Sequence, residues 1–287
     1  STFPKSDYVL KEGRPVGLVR GLTADGFYTT DDFTYENGVY TLKKGVADVS
    51  SAVFPNYHLH NGINERPAGQ LAYPGMAKFK DLNDDGIIND DDVDVIGDMT
   101  PVHTGGFNIN ATYKNFDLGL YFNWSYGNEI YNVNKLAALY GYKEGAVYEN
   151  KLSIVKDCYK IYDVVNGELV ALTTPEQLNA ANANAKLPLA YSENGYVSTL
   201  GIEDGSYLRL NTLTLGYTLP KSILQKAGIS NLRVYGSIYN VFTITGYSGI
   251  DAEVSTSTST KTYPQLGMDW GTYPRARSFV LGVNLSF

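Results

Sequence analysis

The chain has 287 residues, of which 43% are hydrophobic, so it is long enough to bury a large core. Its formal net charge of −7 argues against a nucleic-acid partner, because an acidic chain does not neutralise a phosphate backbone. No run of about 18 apolar residues is present, which excludes a helical membrane span, and the single cysteine, Cys158, excludes a disulfide framework and a thiolate metal site.

The first 75 residues contain short β-like pieces separated by turns. The earliest candidate strand lies near Val16, and residues 38–42 form another. The region 23–75 is otherwise rich in Gly, Asp, Asn, Tyr and Pro, which predicts a long ordered loop rather than a second domain core. No signal-peptide pattern follows Ser1, so we expect either a processed protein or a piece of a longer one.

The acidic stretch 81–92, DLNDDGIINDDD, follows the spacing of a calcium-binding loop. Gly86 at position 6 allows the sharp turn that brings successive oxygens together. We expect a structural Ca²⁺ whose ligands are Asp81, Asn83, Asp85, the carbonyl of Ile87, and Asp92. Asp92 replaces the usual Glu and has a shorter reach. The alternative is a solvated turn that binds no ion.

Two alternating runs follow the acidic stretch. The first has Phe107, Ile109, Ala111 and Tyr113 on one side, and the second has Phe116, Leu118, Leu120, Phe122 and Trp124 on one side. Because successive side chains of a strand point to opposite faces, each run predicts a strand with one apolar and one polar face. The runs are separated by little more than Asn115, which predicts a tight hairpin.

Residues 128–205 break the strand pattern. Residues 134–142, 148–159 and 174–185 are candidate short helices, and the last opens with Thr-Pro-Glu-Gln, a helix start signal. A connection of this length is improbable in a compact soluble domain, whereas outer-membrane barrels carry long loops on one side.

The strand pattern returns after residue 205 and continues to the end of the chain. Leu213, Leu215 and Tyr217 share a face, but Leu208 and Leu210 are on the opposite phase, so we expect a bulge near Asn211. Further one-sided runs are Leu232, Val234, Ile238 and Phe242, and then Phe279, Leu281, Val283, Leu285 and Phe287.

Strands of about 9 to 11 residues with one apolar face are typical of a transmembrane antiparallel β-barrel. About six such strands are present, fewer than the roughly eight that the smallest closed barrels need, so we expect the chain not to close a barrel alone. If Phe287 lies at the periplasmic end, the long segments fall outside the membrane and the short turns inside. The same alternation also fits a soluble β-sandwich.

Aromatic residues are abundant, with 24 Tyr, 11 Phe and 2 Trp, which suits either membrane-interface girdles or a carbohydrate-binding surface. His58 and His60 lack a third metal ligand nearby, and no catalytic or nucleotide-binding motif is present, so we expect no enzyme. Six aromatic residues flank loops and could pack there or stack on sugars: Tyr126, Tyr131, Tyr140, Tyr142, Trp270 and Tyr273.

Taken together, several segments resemble the C-terminal part of SusC/RagA-type TonB-dependent outer-membrane transporters of Bacteroidota. The resembling segments are EGRPVGLVRGLTADGFY (12–28), KFKDLNDDGIINDDDVDVIGDMTP (78–101), YKNFDLGLYFNWSYGNEIYN (113–132), EDGSYLRLNTLTLGYTLP (203–220), ISNLRVYGSIYNVFTITGYSGIDAEVS (229–255) and YPRARSFVLGVNLSF (273–287). They span nearly the whole chain in family order. Residues in the 30s to 70s and roughly 134–200 look unlike anything shared, as expected of substrate-facing loops.

The resemblance implies that residues 1–287 are the C-terminal portion of a 22-stranded barrel, with short helices in long extracellular loops. It also implies a plug domain and a TonB-contacting segment, both absent from this chain, and a SusD-like surface lipoprotein that covers the barrel. Such pairs import glycans or oligopeptides, and a dimer of transporter–lipoprotein pairs is an expected assembly. Phe287 would serve as the signal for outer-membrane insertion.

The sequence therefore predicts part of an outer-membrane importer. One alternative is a secreted, soluble all-β carbohydrate-binding protein, which would bury the apolar strand faces. A second alternative, a barrel-type adhesin or a passive porin, shares the strands and would lack a plug domain. The substrate and the residues that contact it are not identifiable from the sequence.

Overall fold

A computed structural model describes residues 9, 11–51, 53, 65–140, 152–190, 197–225, 228–254 and 266–287. The chain divides into two compact units. The first, which we call the loop unit, comprises residues 1–97 and 132–202, and the second, the sheet unit, comprises residues 98–131 and 203–287.

The described residues form mainly strands. In chain order these are β1 (Leu18–Gly21), β2 (Ala24–Phe27), β3 (Phe33–Glu36), β4 (Val39–Leu42), β5 (Asp48–Val49), β6 (Ala77–Phe79), β7 (Ile87–Ile88), β8 (Asp94–Asp98), β9 (His103–Tyr113), β10 (Phe116–Tyr126), β11 (Glu129–Asn132), β12 (Tyr162–Val165), β13 (Glu168–Ala171), β14 (Ile202–Asp204), β15 (Tyr207–Thr218), β16 (Asn231–Thr245), β17 (Met268–Asp269) and β18 (Ser278–Ser286). The α-helices are α1 (Val133–Tyr140), α2 (Pro175–Asn182) and α3 (Lys221–Leu224), with short 3₁₀ turns at Thr30–Asp32, Asp90–Asp92, Ser153–Asp157 and Thr199–Gly201. Among the described helices, none has the length and apolar composition needed to cross a bilayer.

The sheet unit is built on five long antiparallel strands in the order β18-β16-β15-β10-β9. The strands are 9 to 15 residues long, so at about 3.3 Å per residue each is long enough to cross a hydrocarbon layer when tilted. The hairpin predicted at Asn115 is confirmed, since β9 and β10 pair in continuous register from Tyr113 with Phe116 to His103 with Tyr126. Lys114 supplies the left-handed residue of this turn, with φ +54°.

The bulge predicted near Asn211 is also confirmed. Along β10, Tyr121 pairs with Thr212 and Phe122 with Leu210, so Asn211 is the extra residue of β15. One extra residue reverses the alternation, which is why the leucines before and after it lie on one face despite their opposite phase in the sequence.

Strand β16 accommodates the bulge with an irregularity of its own. Leu210 pairs with Phe242 and Thr212 with Tyr239, so Asn240 and Val241 both lie opposite Asn211. Asn240 has φ +54°, a conformation that Asn tolerates better than most residues. Relative to β10, this strand has two extra residues, so its apolar residues keep a single phase throughout.

The consequence is a continuous apolar face across the sheet. In register it contains Phe116, Leu118, Leu120, Phe122 and Trp124 of β10, Leu208, Leu210, Leu213, Leu215 and Tyr217 of β15, Leu232, Val234, Ile238, Phe242 and Ile244 of β16, and Phe279, Leu281, Val283 and Leu285 of β18. Leu281 is 89% exposed, Phe279 is 72% exposed and Phe116 is 50% exposed. This face is therefore not the centre of a soluble sandwich in the described residues.

The loop unit has its own hydrophobic core, made from both of its sequence segments. Tyr28, Tyr40, Phe79 and Ile88 from the first segment pack in one cluster with Leu178 from the second, and all five are at most 2% exposed. The phenol of Tyr40 donates to the carbonyl of Thr173 at 2.9 Å. The two long segments expected to be loops therefore fold together around a shared interior.

Several predicted boundaries change. The candidate near Val16 is wrong as a spanning strand, because the strand there is the four-residue β1, which among the described strands pairs with β8 in a two-stranded sheet. The strand predicted at residues 38–42 is confirmed as β4. Helix α2 lies within the predicted helix 174–185, and α1 begins one residue before the predicted helix 134–142. The third predicted helix spans residues 148–159. Its residues 148–151 lie outside the described residues, and its described residues contain only a 3₁₀ turn at Ser153–Asp157.

Candidate functional site

The polar face of the sheet carries an arginine–carboxylate pair that reaches across one strand. Arg233 of β16 donates through Nε to Asp117 Oδ1 of β10 at 2.9 Å, and its Nη2 contacts Oδ2 at 2.5 Å. Gly216 of the intervening β15 lies beneath this bridge, where an added Cβ would collide with both side chains. The glycine is therefore required for the bridge to form across the strand.

A second charge cluster on the same face is more deeply buried. Arg209 of β15 is 2% exposed and pairs with Asp251, which is 8% exposed. Arg209 also donates to Glu253 Oε2 at 3.0 Å and to Thr243 Oγ1 at 2.9 Å. Arg275 completes the cluster, with contacts of 3.0 Å to Glu253 and 3.5 Å to Asp251.

This cluster joins three parts of the sheet unit: strand β15, residues 251–253 after β16, and Arg275 just before β18. Two cations and two anions balance, so the buried charges are compensated. We call residues 246–254 the strap, because these ion pairs fasten the segment to the polar face.

The connection between β16 and β18 is held at another point by Tyr247 and Asp269. The phenol of Tyr247 donates to Asp269 Oδ2 at 2.6 Å, and Asp269 Oδ1 accepts the backbone N–H of Gly271 at 3.0 Å. Burial, together with the neighbouring Asp269 carboxylate, raises the pKa of Tyr247 well above its ordinary value, so the phenol stays protonated.

A cavity of about 410 Å³ lies in the sheet unit between the polar face and the strap. Asn123, Ser125 and Tyr207 line it from the strands, and Glu253 and Val254 line it from the strap. Its volume is in the range of small-molecule sites.

The calcium-type loop in the loop unit has the local geometry expected of its first six positions. Asp81 Oδ2 accepts the backbone N–H of Gly86 at 2.8 Å, and Gly86 has φ +85°. Asn83 Oδ1 accepts the N–H of Asp85 at 3.0 Å, and Asp85 Oδ1 accepts that of Ile87 at 2.8 Å. Asp81 Oδ1 is buried and has no hydrogen-bond partner among the residues that the structure describes.

Asp92 has a structural role in the same loop. It is fully buried, and its two oxygens accept the backbone N–H groups of Leu82 at 2.7 Å and of Asn89 at 2.8 Å. Among the described residues, no three His, Cys, Asp or Glu side chains are gathered into a metal-sized group. A calcium ion would therefore depend on the amide oxygen of Asn83 and the carbonyl of Ile87 as well as on carboxylates.

The loop-flanking aromatic residues do not form one surface. Tyr131 is 1% exposed and belongs to the interior, whereas Tyr273 is 88% exposed. Tyr126 stacks on His103 with ring centroids 5.1 Å apart. Tyr142, His58 and His60 lie outside the described residues, so the girdle, sugar-stacking and zinc interpretations of these residues stay untested.

Sequence reasoning missed Arg209, Asp251 and Glu253. The available signal was an arginine on the polar face of a strand whose other side chains are uncharged, followed about 40 residues later by two acids spaced one residue apart. Nothing in the alternation pattern reveals that the intervening segment folds back onto that strand.

No protein-family model matches the chain. TonB-dependent receptor P3 of Formosa agariphila is 30% identical over 97% of this chain and 23% of that protein. The TonB-dependent receptor SusC of Bacteroides thetaiotaomicron is 34% identical over 45% of this chain and 12% of its own length. The solved RagAB peptide transporter matches all of this chain and 24% of the matched chain, with a TM-score of 0.62 and 20% identity.

The chain thus spans about a quarter of the length of relatives that match most of it. The structural likeness bears on the fold alone, and it confirms the expected all-β fold of a barrel fragment. The relatives are named as receptors and as a transporter, which confirms the expectation that the chain is not an enzyme.

Proposed function

A TonB-dependent receptor matches this chain over 97% of its length, and from that premise we propose that the chain belongs to the SusC/RagA-type receptors and forms part of the wall of an outer-membrane nutrient importer. The observation that carries the proposal is the continuous apolar face of the five-stranded sheet, whose described side chains, apart from the buried Leu210, are exposed or half-exposed. In a bilayer such a face contacts lipid, and the polar face lines the interior.

Strands β9 and β18 are the two edges of this sheet. An unpaired strand edge within a bilayer leaves backbone N–H and C=O groups without partners, which is costly because lipid offers none. We therefore infer that both edges pair with strands of the remaining, N-terminal part of the transporter. The plug and the TonB-contacting segment would belong to that part.

The proposed partners follow from the same assignment. A SusD-like surface lipoprotein would cover the extracellular side, and TonB would act through the plug side. The substrate would be an oligosaccharide or an oligopeptide, and the matched RagAB structure is described as a peptide transporter. Dimers of transporter–lipoprotein pairs are the proposed assembly.

The proposal is tested in cells that carry the transporter containing this chain. We expect the chain in the outer-membrane fraction, extractable only with detergent, and we expect a lipoprotein to co-purify with it. Uptake of the cognate nutrient should stop when the proton gradient is dissipated. A soluble, monomeric product that melts cooperatively without detergent would instead support the carbohydrate-binding alternative, and gradient-independent uptake would support a passive porin.

We also propose that loop 81–92 binds Ca²⁺ through Asp81, Asn83, Asp85, Ile87 and Asp92. The turn geometry of its first six positions and the unpartnered, buried Asp81 Oδ1 support an ion at this place. Asp92 can keep its two backbone hydrogen bonds, because each carboxylate oxygen has a second lone pair. The ion's role would be to stabilise the loop unit.

A further inference from the structure

The apolar face of the five-stranded sheet ends, on the side of the short turns, in a row of three aromatic rings. Tyr113 of β9 pairs with Phe116 of β10, and Phe116 pairs with Tyr217 of β15, so the three rings share one register row. The ring centroids of Phe116 and Tyr217 are 4.7 Å apart, and Tyr113 is 72% exposed. We call these three residues the aromatic row. Tyrosine has an apolar ring and a polar hydroxyl, which suits the boundary between hydrocarbon and lipid headgroups.

The length of β10 places the aromatic row at one boundary of the hydrocarbon layer. At the opposite end of this strand, Tyr126 pairs with His103 and stacks on its ring. Phe116 and Tyr126 are ten residues apart, which is about 33 Å at about 3.3 Å per residue. A strand tilted by about 40° then spans about 25 Å of membrane thickness, the height of the apolar band of a barrel. With Tyr126 at one boundary, the aromatic row lies at the other.

Lys114 brings a cation to the boundary at the aromatic row. It occupies the β9–β10 turn, and its Nζ lies 5.3 Å from the centroid of the Tyr113 ring. Because Tyr113 belongs to the apolar face, this contact holds the ammonium group on the side of the sheet that we assign to lipid. A lysine whose stem follows apolar surface can keep its charge at the level of the headgroups.

A second lysine lies at the same end of the sheet. Thr218, the last residue of β15, donates its backbone N–H to the carbonyl of Asn115 at 2.9 Å, which joins the end of β15 to the β9–β10 turn. Helix α3 begins three residues later at the exposed Lys221, and it buries Leu224 while Ile223 is 59% exposed. An exposed cation close to an exposed apolar side chain suits a segment that lies at a membrane surface.

The described charges differ between the two ends of the sheet unit. At the end with the short turns, Arg233 and Asp117 balance each other on the polar face, so Lys114 and Lys221 leave an excess of positive charge. No carboxylate among the described residues forms an ion pair with either lysine. At the opposite end of the sheet unit, the described carboxylates outnumber the arginines. Since the whole chain has a net charge of −7, the positive end is a local feature that favours an anionic ligand.

We propose that the end of the sheet with the short turns binds the phosphate headgroup of an anionic glycerophospholipid. Lys114 and Lys221 attract the phosphate, while the aromatic row and Ile223 contact the glycerol and the upper parts of the acyl chains. A zwitterionic lipid binds less tightly, because its own cation offsets the phosphate charge. The inference rests on the proposed function as part of a barrel wall, since only that function brings the apolar face into contact with lipid.

The test uses the complete transporter purified in detergent. The anionic probe is dioctanoyl phosphatidylglycerol, the zwitterionic probe is dioctanoyl phosphatidylcholine, and binding is measured by native mass spectrometry across a titration of each lipid. We expect phosphatidylglycerol to bind more tightly. Lys114→Gln and Lys221→Gln should each weaken its binding about fivefold, because each removes one cation beside an anionic headgroup. The comparison between variants isolates this site, because every other lipid contact of the transporter is unchanged.

Two further variants serve as controls. Lys114→Arg keeps the positive charge and should bind phosphatidylglycerol as the wild type does. Lys44→Gln removes the same charge from an exposed turn of the loop unit, and it should also bind as the wild type does. Because all these substitutions replace exposed side chains, we expect the melting temperature of each variant to equal that of the wild type.

The outcomes distinguish the lipid site from the import function. Equal binding of the two lipids, or wild-type binding by the double variant Lys114→Gln/Lys221→Gln, would overturn the lipid site even when gradient-dependent uptake is normal. Displacement of the lipid by an equal concentration of glycerol 3-phosphate would assign the lysines to a soluble anion, which also overturns it. If the double variant loses phosphatidylglycerol while cells show no gradient-dependent uptake, the lipid site stands and the import function fails.

Discussion

At the scale of single residues, burial separates two arginine–carboxylate pairs that otherwise look alike. Both lie on the polar face of the same sheet, but the Arg209 side chain is 2% exposed and the Arg233 side chain is 23% exposed. A buried charge that loses its partner is left in a medium that cannot solvate it, whereas a half-exposed charge is solvated by water. The two pairs therefore provide a comparison of the same chemistry in two environments.

We expect Arg209→Met to lower the free energy of unfolding by about 3–5 kcal/mol, because the buried Asp251 loses its Arg209 partner and keeps as an ion pair the longer, 3.5 Å contact with the more exposed Arg275. Arg233→Met is the matched control and should cost no more than about 1 kcal/mol. Both are measured by denaturant unfolding of the transporter in detergent. Equal losses in the two variants would contradict the assignment of Arg209 as the anchor of the strap.

Cys158 of the loop unit provides a pH-dependent prediction. Burial and, secondarily, Asp157 raise the pKa of its thiol to about 11, from an ordinary value of 9.0. The folded state therefore resists ionisation, and its stability does not depend on this group below about pH 9. As the pH rises from about 9 to about 11, the unfolded state ionises first and stability falls.

This prediction is checked by maleimide labelling and by unfolding as a function of pH. At pH 8 the folded protein should label slowly and the denatured protein quickly, because the thiolate is the nucleophile and Cys158 is buried. Cys158→Ser should remove the labelling and leave other pH effects intact. Rapid labelling of the folded chain would show that the thiol is exposed.

At the scale of elements, the bulge at Asn211 and the wider irregularity opposite it keep three strands in one apolar face. At this point β10 has no extra residue, β15 has one and β16 has two. Only the single extra residue of β15 reverses the alternation of side chains along its strand, so only β15 changes phase. Helix α2 illustrates the same local determination, because Thr174 accepts the N–H of Gln177 and the side chain of Gln177 reaches back to the N–H of Thr174. Both features were predictable, since each follows from neighbouring residues.

Loop 81–92 is the element on which the calcium proposal is tested. Adding Ca²⁺ to chelator-treated transporter should raise the melting temperature, because an ion bound only to the folded loop stabilises it. Asp81→Asn should abolish most of this rise. Asp84→Asn is the control, since Asp84 is not a predicted ligand and its left-handed conformation, φ +58°, suits Asn. A rise that survives Asp81→Asn would place the ion elsewhere, and the absence of any rise would support the ion-free turn.

At the scale of the whole molecule, the five-stranded sheet has one apolar face and one polar face, and the polarity of each face determines which solvent it can contact. Leu281 lies in the middle of β18 on the apolar face, and the adjacent Val280 lies on the polar face opposite Ser237. In a soluble protein, arginine at either exposed position would be nearly neutral. In a barrel wall the two positions differ, because one contacts lipid and the other contacts water.

Leu281→Arg should destabilise the inserted transporter by about 2–4 kcal/mol, the cost of a cation near the bilayer centre. Val280→Arg should have a much smaller effect, because its side chain would extend into the wet interior. The measurement is the fraction of protein that resists urea extraction from the outer membrane, together with unfolding in liposomes. If both variants behaved alike, the assignment of the apolar face to lipid would fail.

The sequence alone determined the strands, their two faces, the hairpin at Asn115 and the bulge at Asn211. These features depend on alternation along a few consecutive residues, so the local pattern contains them. It also predicted the similarity to TonB-dependent receptors, because distinctive segments spread along nearly the whole chain resemble them. The turn geometry of loop 81–92 followed from its spacing for the same local reason.

Only the tertiary structure decided the long-range partners. It brought the two long loop segments into one core, joined Arg209 to acids about 40 residues away, and placed Asn123 beside the strap in a cavity. It also reduced the candidate strand near Val16 to a short piece paired with β8. These contacts join residues far apart in the chain, and burial and charge compensation select them only once the whole chain is folded.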